Sequence, residues 1–396
     1  MINEKMLALG ESRSAIREIF EYGRKRAGEI GAENVFDFSL GNPSVPAPEK
    51  VNETIAELVK TLDSVALHGY TSAPGDMAAR AAAAAQESLR AGYDIPAGCI
   101  YMTCGAAASL TITLNALINP GDEVVVLAPF FPEYRVFAET AGAKLVTVPP
   151  EGKSMQPDME KFAAAIGENT KAVIVNSPNN PSGAILSADT LRAMAAVLEE
   201  KSAQKGSPVY LIADEPYREL VYGDARVPFL PGIYKNSIVC YSYSKSLSLP
   251  GERIGYIMVP PCAENAGKLF AAVCGAGRAL GYVCAPSLMQ KVAALCAGER
   301  PDVDAYRKNR DIIYGALTEM GFDCVSPDGA FYLFVKSPGE SAAAFCEKAK
   351  EFEILLVPSD SFGVGGYVRL SYCVAEQTIR GALPGFEKLA AHYGLK

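Results

Sequence analysis

Histidine is scarce in this sequence. There are two, His68 and His392, neither beside a cluster of cysteines or carboxylates, so nothing points to a histidine-rich metal site or a Ser-His-Asp triad. Paired cysteines are lacking too. Ten cysteines are scattered from Cys99 to Cys373 without a CxxC, and a chain of this length needs no covalent staples, so they read as reduced thiols of a cytoplasmic protein. No apolar run approaches the length of a membrane span; Val124–Ala128 is among the longest. The amino terminus, Met1–Lys5, has no long apolar stretch behind it, and no secretory signal is expected. Basic charge is in deficit, with 37 Lys and Arg against 45 Asp and Glu for a net −8. A nucleic-acid partner is therefore not expected, since phosphate contacts need a basic face.

What is present suits a large folded chain. The 396 residues are 49% hydrophobic and 21% charged, enough for an extensive core and for two to three domains at about 150 residues each. Residues 13–30 read as an amphipathic helix, 35–40 as a short extended segment, and the alanine run 78–85 as a helix continuing to Arg90. From Cys99 onward, strand candidates at 99–104, 122–128, 144–148, 171–176, 208–213, 237–242 and 254–259 alternate with helices near 106–118, 132–141, 157–165 and 187–203. That alternation implies an α/β fold with a mostly parallel sheet covered by helices on both faces. The last third differs: helices near 262–280, 286–297 and 301–320, strands near 331–336, 353–357 and 366–371, and a closing helix near 375–393 describe a smaller α/β unit. The expected division is an amino-terminal arm at 1–45 that contributes to the smaller unit, a large unit at 46–285, and the smaller unit at 286–396.

Four short segments carry chemistry. Tyr241-Ser242-Tyr243-Ser244-Lys245 follows a buried-type strand, and Arg253 lies eight residues on; the hydroxyls and the guanidinium can bind a phosphate, and a lysine beside them can form a Schiff base with an aldehyde. Asp214, in Leu211-Ile212-Ala213-Asp214-Glu215-Pro216-Tyr217, closes an apolar strand at the edge where open α/β sheets bind ligands. A carboxylate there can keep a pyridinium nitrogen protonated. Asn180, in Asn179-Asn180-Pro181-Ser182-Gly183, offers an amide at another strand end. Thr103-Cys104-Gly105-Ala106-Ala107 enters a helix whose first N–H groups can cradle phosphate. Each segment alone is equally readable as a strand end, a turn or a tight junction; it is their order along one chain that is specific.

In that order the segments resemble the class I/II aminotransferases of pyridoxal-phosphate fold type I, the aspartate aminotransferase-like superfamily, from about Phe36 to Tyr372. The resemblance implies that Lys245 binds pyridoxal 5′-phosphate as a Schiff base and moves the substrate proton. It implies that Asp214 pairs with the pyridine nitrogen, and that Tyr217 and Asn180 hydrogen-bond the cofactor's phenolic oxygen. Phe131, in Ala128-Pro129-Phe130-Phe131-Pro132, matches the aromatic that stacks on the ring. Ser242, Ser244, Arg253 and the main chain of Gly105, Ala106 and Ala107 match the phosphate cradle. Tyr70 matches a tyrosine that reaches the phosphate of the neighbouring subunit, so a homodimer with active sites at the interface is implied. Arg369, in Tyr367-Val368-Arg369-Leu370-Ser371, matches the arginine that clamps the substrate α-carboxylate, with Gly41 and Asn180 beside it. The implied reaction is ping-pong transfer of an amino group from an L-amino acid to a 2-oxo acid.

The sequence departs from some members at two points. Ala107 stands where certain aspartate aminotransferases carry a lysine for the distal carboxylate. Arg278 lies near an arginine that others lend across the subunit interface, though its spacing to Pro286 fits poorly, and it reads equally as a surface residue. The apolar stretch 282–286 suits a neutral or aromatic side chain as well, so the donor stays open among aspartate-like, aromatic and neutral amino acids. A carbon–sulfur β-lyase or another eliminase on the same fold would use the same lysine and aspartate. A transcription regulator with a winged-helix module does not fit, since only about forty residues precede Gly41 and the chain is acidic.

Overall fold

The computed structural model describes residues 2–11, 14–339 and 341–395. Its centre is a sheet of seven strands: β1 (Ile100–Thr103), β2 (Glu123–Leu127), β3 (Lys144–Val148), β4 (Thr170–Asn176), β5 (Tyr210–Asp214), β6 (Ser237–Ser242) and β7 (Gly255–Met258). The spatial order is β1-β7-β6-β5-β4-β2-β3. Pairs β3–β2, β2–β4, β4–β5 and β5–β6 are parallel, while β7 runs antiparallel to both neighbours.

Both faces are dry, and the alternation of side chains along the strands sorts them. Val125, Val173, Val175, Leu211 and Val239 enter one core with the helices Glu49–Thr61, Met77–Ala91 and Ala188–Lys205. Val124, Val126, Ile174, Ile212 and Ile238 enter the other with the helices Ala106–Leu117, Glu133–Thr140 and Ala266–Ala279. Helix Ser287–Leu295, grouped by sequence with the smaller unit, buries Met289, Val292 and Ala293 in the first of these cores.

The smaller unit is an antiparallel sheet of β8 (Cys324–Val325), β9 (Tyr332–Lys336), β10 (Val357–Pro358) and β11 (Tyr367–Ser371), in the order β8-β9-β11-β10. Helices Val303–Glu319, Ala342–Lys350 and Glu376–His392 pack on it through Ile313, Leu317, Phe345, Phe386 and Leu389. The amino-terminal segment packs on this unit through Ile19 and Val35 against Leu355 and Val357. The helix expected over 13–30 spans Ala15–Ile30, capped by Ser14, with position 13 outside the described residues. Phe36–Asp37 pairs parallel with Ile354–Leu355. The extended segment expected over 35–40 is a strand only at those two residues; Phe38 still bonds the main chain of Leu355 and Ser371, and Leu40 reaches the cavity between the units. Helices Glu4–Glu11, Ser64–His68 and Ala342–Lys350 and the small pairing of Pro150–Glu151 with Gln156–Pro157 were not anticipated. Among the described residues no helix is long and apolar enough to cross a membrane, and no group of His, Cys, Asp and Glu is arranged to hold a metal ion. All ten cysteines are free thiols.

Candidate active site

The carboxyl ends of β1, β4, β5 and β6 lie at one edge of the large sheet, where Gly41 and β11 of the smaller unit meet them. Between them is a cavity of about 320 Å3. Of the residues expected from sequence, Gly41, Ala106, Ala107, Phe131, Asn180, Asp214, Tyr217, Ser242, Ser244, Lys245, Arg253 and Arg369 all line it.

Lys245 sits in the one-turn helix Tyr243–Ser246, directly after β6 and capped by Ser242. Its Nζ donates to the Gly41 carbonyl at 2.6 Å. Burial pushes its pKa down to about 8, and the nearby Arg253 and Arg369 push the same way against an opposing effect of Cys373. The amine thus loses its proton more than two pH units below an ordinary lysine, toward the state needed for attack on a carbonyl or for taking a proton.

Asp214 ends β5. Oδ2 accepts from the Tyr134 hydroxyl, the main-chain oxygen accepts from Asn176 Nδ2 at 2.9 Å, and Oδ1 has no partner in the protein. Burial lifts its pKa to about 7, opposed by the Tyr134 hydrogen bond and reinforced by Glu215. A buried carboxylate with one oxygen unpaired lacks a cation.

The phosphate-type cradle forms where β1 turns through Gly105 into helix Ala106–Leu117. Gly105 has φ +86°, and a Cβ there would stand 2.6 Å from Arg253 Nη2, so glycine is what lets the guanidinium lie against the helix start. Arg253 Nη1 reaches Ser244 Oγ at 3.4 Å, and Ser242 and Ser244 share a hydrogen bond of 2.7 Å. Main-chain N–H groups, two hydroxyls and a guanidinium at one helix N-terminus form a phosphate-binding set.

Arg369, on β11, is 2% exposed. Its Nη1 donates to Asn180 Oδ1 at 3.2 Å and its Nη2 to the Ser39 carbonyl, while Nε has no partner. Burial lowers its pKa. Its guanidinium lies 4.9 Å from the Tyr332 ring centroid, and the Tyr332 hydroxyl meets that of Tyr217 at 2.9 Å. A Cβ on Gly41 would stand 2.0 Å from Tyr332 Oη.

Two expected residues are elsewhere. Tyr70 is 92% exposed and outside this chain's cavity, and Arg278 is exposed near the end of helix Ala266–Ala279. Conversely, sequence reasoning missed Tyr134, Asn176 and Tyr332. Tyr134 lies one helical turn after Phe131, and its ring meets that ring edge-on at 5.8 Å, so the i, i+3 spacing was its available signal.

The residues present fit pyridoxal 5′-phosphate. The unpaired Oδ1 of Asp214 matches a ring N–H, the cradle at Gly105 a phosphate, and Lys245, with its lowered pKa, an aldehyde. Together with the doubly wound sheet they define a pyridoxal-phosphate enzyme of fold type I. Residues 33–384 match the family model for aminotransferase class I and II. The chain belongs to that family and is a pyridoxal-phosphate-dependent aminotransferase. A crystal structure of an amino transferase from Eubacterium rectale is similar at 54% identity and TM-score 0.97, covering 99% of each chain. Among curated relatives, an aspartate aminotransferase of Pyrococcus horikoshii is 29% identical over 98% of this chain and 96% of its own. A probable N-acetyl-LL-diaminopimelate aminotransferase of Bacillus subtilis is 31% identical over 94% and 93%. None of these names supports the eliminase reading.

Proposed function

We propose that the amino donor is an L-α-amino acid with a neutral, apolar or aromatic side chain, held by its carboxylate on Arg369. The observation that carries this reading is the cavity lining. Its cations are Lys245, Arg253 and Arg369, each with a place in lysine chemistry, phosphate binding or α-carboxylate binding. The rest of the wall on the substrate side is Ile16, Leu40, Phe131 and Tyr332. A distal carboxylate would meet apolar surface from this chain, a costly burial of charge.

When bound, pyridoxal phosphate supplies the aldehyde that exchanges amines and the ring that takes up the electrons of the broken Cα–H bond. Asp214, unpaired at Oδ1, holds the proton on the ring nitrogen. Arg369 orients the α-carboxylate by two-point hydrogen bonding. Lys245 Nζ would take up the proton released at substrate Cα and hold it for return, a role suited to an amine of pKa about 8. Gly41 and Asn180 bound the same pocket. The donor leaves as a 2-oxo acid before the acceptor binds, which gives ping-pong kinetics.

The same reading includes a homodimer. Tyr70, 92% exposed, is free to reach a neighbouring subunit, and Val65, Met77 and Val283 are exposed apolar residues that suit burial there. Sedimentation is expected to give twice the chain mass; a monomer at micromolar concentration refutes it. Ten free thiols support a reducing, cytoplasmic setting.

The test of the donor class is an absorbance spectrum of the loaded enzyme with single amino acids and no keto acid. Loss of the visible band with aromatic or neutral donors, and not with aspartate or glutamate, is expected. Bleaching by aspartate and glutamate refutes the neutral-donor reading and directs attention to a cation from the partner. A persistent band with pyruvate or ammonia accumulating would point to elimination.

A further inference from the structure

A second cavity, of about 620 Å3, lies behind the turn that carries Lys245. It is walled by the end of helix Met77–Ala91, the segment after β5, the lysine turn and the link at 296–300 that leads to the smaller unit. No residue of it lines the active-site cavity.

The charges in its wall divide into two groups. Arg90 pairs with Glu87 and Glu215, Arg218 with Glu87 and Glu215, Glu219 accepts from Arg218 and Tyr241, and Glu299 pairs with Lys50. These are three cations against four carboxylates, and Glu219 Oε2 is buried without a partner, so this group keeps one surplus negative charge. Arg226 and Arg300 pair with no carboxylate among the described residues; Arg226 donates only to the neighbouring Ala225 carbonyl. The cavity therefore presents two guanidiniums with no carboxylate of their own, which outweigh the single surplus carboxylate.

Its neutral wall includes Leu89, Val227, Leu247 and Tyr243. Tyr243 is 7% exposed, and its hydroxyl has no hydrogen-bond partner among the described residues. It stands edge-on to Tyr241 at 5.2 Å, two residues before Lys245 in the same helical turn. A phenol that faces a cavity and has no partner among the described residues can donate to a ligand there.

We infer that this cavity is a second small-molecule site, taking a carboxylate with an apolar or aromatic body. The carboxylate meets Arg226 and Arg300, the body lies on Leu89, Val227 and Leu247, and Tyr243 Oη donates to a ligand oxygen. Because Tyr243 belongs to the turn that aims Lys245, occupancy biases the position of the catalytic amine. Because Arg300 lies on the link between the units, it also restrains their relative movement.

Calorimetric titration of the loaded enzyme with 3-phenylpropanoate tests this. The probe can also enter the active site through Arg369, so the diagnostic event is one retained by Arg369→Lys and lost in the double variant Arg226→Gln/Arg300→Gln. Both changes in the double variant are at exposed side chains, so its fold is expected to hold. One such event per chain supports the site. Persistence of every wild-type event in the double variant overturns it, as does the absence of any event outside the active site, the result if a second copy of the chain covers the cavity. In Arg369→Lys enzyme the probe is further expected to move the pH midpoint of the visible band, and an unmoved midpoint overturns the coupling to Lys245.

Discussion

Asp214 and Lys245 are both buried without full compensation, and both pKa values move against the charged form: Asp214 up to about 7 and Lys245 down to about 8. For Asp214 the folded chain holds its proton well above the unfolded value of 3.8. Its contribution to folding is complete below that value and is lost as pH rises through 7. Lys245 has the opposite dependence, favourable above the ordinary lysine value of 10.5 and lost as pH falls through 8. At pH 8 the cofactor-free chain thus carries a strained carboxylate, at a cost of up to roughly 4 kcal/mol from the size of the shift. Asp214→Asn keeps an acceptor for Tyr134 while removing the charge. We expect the cofactor-free variant to melt higher than wild type at pH 8, with no such gain at pH 4, while the loaded variant loses most of its turnover. An equal or lower melting temperature at pH 8 contradicts the pKa assignment. Functional groups commonly destabilise the scaffold that holds them.

At the scale of elements, the site depends on how strands stop. β1, β4, β5 and β6 each end in a polar residue or a turn, and each delivers a different part of the cavity wall: Ala106 and Ala107, Asn180, Asp214 and Lys245. The junction between β1 and its helix is the most constrained. Gly105 at φ +86°, ψ 174° occupies backbone space that is nearly glycine-only, and its missing Cβ leaves room for Arg253. Gly105→Ala is expected to weaken cofactor binding about 10- to 100-fold, from the usual 1–3 kcal/mol of such strain, as read by fluorescence titration of the cofactor-free protein. Unchanged affinity would mean the junction plays no part in the cradle. Helix Ala15–Ile30 is positioned in a similar way: a Cβ on Gly23 would stand 2.7 Å from Leu355 Cδ1, so glycine lets the helix settle on the smaller unit and bring Ile16 to the cavity.

At the scale of the whole molecule, the substrate pocket exists only where two units meet. Arg369 of the smaller sheet bonds Asn180 of the larger unit, and Lys245 reaches across to Gly41. Arg369→Lys keeps the charge but loses the planar pair of donors. The KM for the amino donor is expected to rise about 100-fold, with a smaller fall in kcat; an unchanged KM would remove Arg369 from carboxylate binding. We place the boundary between the units after helix Ser287–Leu295, near the link at 296–300, because that helix is packed in the large unit's core.

The alternation of apolar runs and helical periods was enough to read the doubly wound sheet; Lys245, Asp214, Asn180 and Arg253 stood out as candidates because each sits in a short string of distinctive residues, while Arg369 came only from the family resemblance. Such strings report local chemistry: a strand end, a tight turn, a hydroxyl beside a lysine. Other features were not legible. The direction of β7 depends on its neighbours, since a buried strand has the same pattern either way round. The core chosen by helix Ser287–Leu295 depends on which apolar face it meets. Tyr134, Asn176 and Tyr332 reach the site only through the registers of separate elements, and the 620 Å3 cavity behind Lys245 has walls drawn from four distant segments. Local sequence carries propensity and side-chain chemistry, while long-range packing decides which distant groups share one buried, poorly solvated space.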